Sequence, residues 1–334
     1  MRRLILAALG ALVPAAALIA AATGYHITGE ITIGGDGGWD YLTADSAARR
    51  LYVSHATHVV VVDLDSNKVV GDIPDTPGVH GIAIASELGK GFISNGRGNN
   101  VTVFDLKTLK AVGDKVATGE NPDSIRYDAV SKRVFAFNGR SKSATAIDAA
   151  TGKVAATIPL PGKPEFSVAD GRGHVFVNLE DTNEIVDLDA AKGTVAKKYA
   201  LTGCDGPSGL AIDTKSRRLF SVCSNRVMAV SDPDAGKVVA TPAIGAGSDG
   251  AAFDAGTGYA FSSNGDGTLT IVSQTGGKWD VLENIATERG ARTIALDEKT
   301  HKVYLPTAKQ GPAPAGGGRS PYLPNSFKVL VVGK

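Results

Sequence analysis

The chain has 334 residues, 43% of them hydrophobic and 21% charged, with 41 glycines. That composition is globular and rich in tight turns, which excludes a collagen-like, coiled-coil or disordered chain. The formal net charge of +1 gives no electrostatic reason to expect a polyanionic partner, so nucleic acid is not expected.

Residues 1–22 read as a secretory signal peptide. Arg2 and Arg3 form the positive start, Leu4 to Ile19 the apolar run, and Ala20-Ala21-Ala22 a small-residue cleavage site. Cleavage near Ala22 would deliver a periplasmic or secreted protein with no membrane span in its mature form. Losing Arg2 and Arg3 takes the 35 basic residues to 33 against 34 acidic ones, close to neutral. The mature chain, 23–334, is expected to be one domain and a monomer.

From residue 50 onward the chain repeats itself. Short apolar strands recur as RLYVSH (50–55), KGFISN (90–95), RVFAFN (133–138), HVFVNL (174–179), RLFSVC (218–223), GYAFSS (258–263) and KVYLPT (302–307), spaced 40, 43, 41, 44, 40 and 44 residues apart. A second landmark keeps step with the first: Asp63, Asp105, Asp148 and Asp232 each precede a lysine by five residues. Period-two apolar runs separated by turn residues predict four short strands per repeat. Seven such repeats predict an all-β, seven-bladed β-propeller with four antiparallel strands per blade. The last repeat ends at its third strand, and HITGEITIG near the N-terminus resembles the fourth strand of the first repeat. The N-terminal strand is therefore expected to close the last blade, leaving no open edge between the termini. Residues 306–326 are expected to form a loop insertion in blade seven.

The LYVS strand (Leu51 to Ser54) and the hairpin Thr151-Gly-Lys-Val-Ala-Ala-Thr-Ile158 give the chain a resemblance to the YVTN-repeat, YncE-like seven-bladed propellers, extending over essentially all of the mature chain. The resemblance implies an exported propeller. It also implies single-stranded nucleic-acid binding, attributed to some members, which an acidic mouth with few exposed aromatics argues against.

Seven internal copies separate scaffold from site. The sixth position of each first strand reads Asp45, Ala85, Asp128, Asp170, Asp213, Asp254 and Asp297. An aspartate before a turn caps the turn's amides, so these are structural. The position opening the same strand reads Asp40, His80, Asp123, Glu165, Ser208, Asp249 and Arg292. Those polar residues differ in kind and lead the innermost strands, which predicts a collar around the mouth of the central channel. With His55, from the end of the second strand, they form the candidate set for a small polar ligand or partner segment. Asp123, Glu165, Asn178, Glu180 and Asp181 form the candidate metal set, suited to Ca²⁺ or Mg²⁺. Blade four carries the most negative charge and is the first place to look for a cation.

Cys204 and Cys223 are placed on the same face, and in an oxidising compartment a disulfide between them is expected to stabilise by about 3 kcal/mol. No EF-hand loop, phosphate loop, nucleophile elbow, zinc spacing or haem motif survives inspection. The expected function is binding at the channel mouth without turnover. The alternative is a metal-dependent, lactonase-like hydrolase or lyase on the same collar, with His80 as its base.

Overall fold

The computed structural model describes residues 23–312 and 320–334. The signal peptide assigned to residues 1–22 and the centre of the blade-seven insertion lie outside them. None of the helices among the described residues is long and apolar enough to cross a membrane.

The apolar alternation folds as expected into seven four-stranded antiparallel sheets. Blade one consists of Leu42–Asp45, Arg50–His55, His58–Asp63 and Lys68–Ile73, and each later blade repeats the order. In blade seven the chain runs Ala295–Asp297, Lys302–Thr307 and Lys328–Gly333, and the fourth strand is His26–Thr32. His26 pairs with Gly333 and Thr32 with Lys328, so the first and last strands close the circle. The sixth repeat begins one residue later than its sequence suggests, at Tyr259, which aligns Phe261 with the other aromatics described below. Pro306 and Thr307 belong to the second strand of blade seven, so the insertion starts after them. Its described ends pair with each other, Gln310 opposite Tyr322, and Tyr322 packs on Trp39 with ring centroids 4.5 Å apart.

The core lies between blades rather than at the centre. Phe135, Phe137 and Ile158 of blade three pack against Val175, Val177 and Leu188 of blade four, and similar clusters fill the other gaps. The third residue of every second strand is aromatic and buried: Tyr52, Phe92, Phe135, Phe176, Phe220, Phe261 and Tyr304. Seven rings at one radius set the blade spacing, each contributing roughly 1.5–3 kcal/mol of burial.

The turn aspartates act as expected. Asp45 accepts from the amide of Ala48 at 2.9 Å, Asp128 from Ser131 at 2.8 Å, and Asp170 from Arg172 at 2.8 Å. Three of them also tie blades together. Arg49 reaches back to Asp297 at 2.7 Å, Arg217 to Asp170 at 3.0 Å and His301 to Asp254 at 2.9 Å. In each case the residue four positions after one blade's cap grips the cap of the blade before. The disulfide forms between Cys204 and Cys223, with Cα atoms 5.4 Å apart. Both sulfurs are buried beside Leu210 and Leu219.

Candidate functional site

The collar residues are presented by a recurring backbone device. In five blades the inner strand breaks register where the collar residue sits, for example between Val79 and Ile82, Pro122 and Ser124, and Pro164 and Ser167. A bulge of this kind releases one residue from the ladder and re-aims its side chain. His80, Asp123 and Glu165 all occupy these breaks.

Asp40, His80 and Asp123 come together. His80 Nδ1 lies 2.5 Å from Asp40 Oδ2 and 3.3 Å from Asp123 Oδ1. One ligand atom from each residue can be chosen so that all three lie within 4.8 Å of one another. Gly96 leaves the imidazole its space, since a Cβ there would stand 2.5 Å from Nε2. Burial opposes a charge on His80, but the hydrogen bond to Asp40 and the charges of Asp123, Asp40 and Glu165 outweigh it and raise its pKa to about 9. Asp123 is pushed up to about 6 by burial and by Asp40, with His80 and Lys163 pulling the other way.

This raised imidazole makes a testable claim about the metal-free protein. A histidine whose folded pKa lies above its unfolded value contributes fully below the unfolded value of 6.5 and loses that contribution by about pH 9. The shift corresponds to roughly 3 kcal/mol. The melting temperature should fall from pH 6.5 to 9, and His80→Gln should flatten that window. Equal slopes in the two proteins would contradict the assignment.

Blade four differs from the sequence expectation. Lys163 Nζ sits between Glu165 Oε1, at 2.7 Å, and Glu180 Oε2. Asp181 accepts from Lys142 Nζ and from the Lys163 amide, each at 2.6 Å. The acids read as a cation site are therefore held by the chain's own lysines. Glu165 is 8% exposed. Burial and Asp123 raise its pKa to about 8, with Lys163 partly offsetting them. Asp249 is likewise paired with Arg292.

Three more candidates belong to the scaffold. Asn178 is fully buried, its amide donating to the Ser208 and Gly209 carbonyls at 2.9 and 3.2 Å and accepting from Ser221. That bonding bridges blades four and five and leaves it no role as a metal ligand. Ser208 spends its hydroxyl on the Ser248 carbonyl at 3.2 Å, joining blades five and six. His55 lies away from the collar, stacked on Phe327 at 4.7 Å and bonded to His58 at 3.0 Å. Burial and His58 hold its pKa below the usual imidazole value. Hydroxyls of the second strands are buried staples as well: Ser94 donates to the Asp123 carbonyl and Ser263 to that of Arg292.

The cup has a floor, which the sequence reading missed. Tyr41 of blade one meets Phe166 of blade four edge to face, centroids 4.7 Å apart. Blades one and four are not neighbours, so the pair crosses the channel. Tyr41 is buried, 4% exposed. Its hydroxyl is pushed well above the usual phenol range, first by burial and then by Asp40, Asp123 and Glu165. The repeat comparison carried the signal: one step past the collar the blades read Tyr41, Gly81, Ser124, Phe166, Gly209, Gly250 and Thr293, two aromatics among small residues.

No family model matches the chain, and no curated protein matches it. Among solved structures it is similar to the hydrazine synthase of Kuenenia stuttgartiensis, with a TM-score of 0.69 at 14% identity, covering 80% of this chain and 92% of that one. At that identity the likeness establishes the propeller fold alone.

Proposed function

We propose that this is an exported propeller that holds one divalent cation at the channel mouth through Asp40, His80 and Asp123, and through the cation a small polar ligand or partner segment, without turnover. The observation that carries this reading is the convergence of the three ligand atoms within 4.8 Å. Two carboxylates and one imidazole suit Zn²⁺ or Mn²⁺ better than Ca²⁺, which takes six to eight oxygens. The resemblance to YVTN-repeat proteins and the disulfide support export.

The hydrolase or lyase alternative needs a base, and His80 fits that role poorly. Its pKa of about 9 keeps it protonated at neutral pH, and as a metal ligand its lone pair would be committed. Glu165 is the remaining candidate, but Lys163 holds it.

Titration calorimetry with Zn²⁺ and Mn²⁺ tests the proposal. One ion per chain is expected, with affinity rising from pH 6 to 8 because His80 must lose its proton. His80→Ala should weaken binding by roughly 100-fold or more, whereas Glu180→Gln should leave it within a few fold. Absence of binding by the wild-type protein, or equal binding by His80→Ala, would sink it.

A further inference from the structure

Below the Tyr41–Phe166 floor lies a charge that the mouth does not use. Arg126 stands three residues further along the inner strand of blade three, Pro122–Asp128, on the far side of the floor from Asp123. Its guanidinium carbon is 5.3 Å from the centroid of Phe166, whose face it covers. Nε donates to the Ser167 carbonyl of blade four at 3.0 Å. Among the described residues this is the guanidinium's one hydrogen bond, and no carboxylate lies within ion-pair distance of it. Burial lowers its pKa to about 10, so it stays charged. The side chain is half-buried.

The repeat shows how unusual this position is. At the same level the other blades carry Thr43, Ala83, Val168, Ala211, Ala252 and Ala295. Six small or apolar residues accompany one arginine. An uncompensated guanidinium in such surroundings is costly, and a counter-ion lowers that cost. Its geometry is also fixed in advance. One face is stacked, the Nε edge is bonded, and the two terminal nitrogens remain as a planar fork. Such a fork matches a carboxylate through two parallel hydrogen bonds. A single positive charge balances a monoanion and leaves a dianion half unpaired.

We infer that the lower channel is a second binding site, in which Arg126 takes a small monocarboxylate. The Tyr41–Phe166 pair separates it from the mouth, so the ligand enters from the opposite face. The site stands independently of the cation proposed above.

Acetate is the probe, titrated by calorimetry and thermal shift in carboxylate-free buffer. Wild-type protein should bind one acetate, and Asp40→Asn, altered only at the mouth, should bind it equally. Arg126→Met should fold in acetate-free buffer, because an apolar side chain replaces a buried unpaired charge. It should weaken acetate binding by about 10- to 100-fold. No acetate binding by wild type, or unchanged binding by Arg126→Met, would overturn the inference. Crystals of the wild-type chain grown with acetate give a check that needs no variant. Carboxylate density on the free edge of Arg126 supports the site, and density elsewhere or none refutes it.

Discussion

Deleting residues 23–34 is expected to unfold the whole propeller in one step rather than fray one blade. The deleted stretch contains the strand His26–Thr32, which pairs along its length with Lys328–Gly333. It also carries Tyr25 and Ile31, which are 4% and 2% exposed. Tyr25 packs against Phe261 of blade six at 5.4 Å, and Ile31 joins the cluster between blades seven and one. Two large buried side chains are worth roughly 1.5–3 kcal/mol each, before the ladder's hydrogen bonds are counted. Without the strand, Val329 and Val331 become a bare edge at the one seam where the circle closes. A loss on that scale approaches the entire stability margin of a domain, about 5–15 kcal/mol. Circular dichroism on heating, with and without a synthetic 23–34 peptide, gives the readout. A truncated protein that melts at the wild-type temperature would show that the closure is dispensable.

Asp170→Ala should cost about 3 kcal/mol or more, whereas Glu165→Gln, five residues earlier, should cost little. Asp170 is 3% exposed. It accepts from the amides of Arg172 and His174 at 2.8 and 3.1 Å and from Arg217 at 3.0 Å. Alanine would leave two amides and a guanidinium edge without their acceptor, each lost bond costing about 1–3 kcal/mol. Glu165 is nearly as buried, but its carboxylate sits against Asp123 and among the described residues has only Lys163 as a partner. Glutamine removes the charge conflict and keeps an acceptor, while Glu180 still holds Lys163. Urea unfolding of the two variants compares them directly. Equal destabilisation would mean that collar and cap are not physically distinct.

Much of this was readable because seven copies of one unit sit in a single chain. Strand count, closure and turn caps follow from local rules, namely period-two burial, aspartate before turns, and an unpaired last strand. The collar was visible as the position where the copies disagree. Lys163 was equally visible and was missed. Two residues before the collar the blades read Gly38, Gly78, Asn121, Lys163, Gly206, Gly247 and Gly290. Five of these adopt a positive φ, from 53° at Asn121 to 88° at Gly290, which explains glycine and asparagine there. Lysine breaks that pattern, and it falls beside the glutamates it neutralises. Other features depend on distant contacts. His55 is buried by Phe327, which lies 272 positions away, and no spacing within a blade announces that. The role of Asn178 depends on the width of the gap to blade five, which only the packed assembly sets.

The pairing of His26 with Gly333 also bears on how the molecule is made. A chain synthesised from its N-terminus yields the closing strand about 300 residues before its partner. Blade seven therefore cannot form until Lys328–Gly333 has been made. Bringing such distant ends together costs about 5 kcal/mol of loop entropy, which the final seam must offset in a single late event. Until then the apolar flanks of blades one and six lack the surface they bury in the finished ring, and exposed apolar surface of that kind favours aggregation.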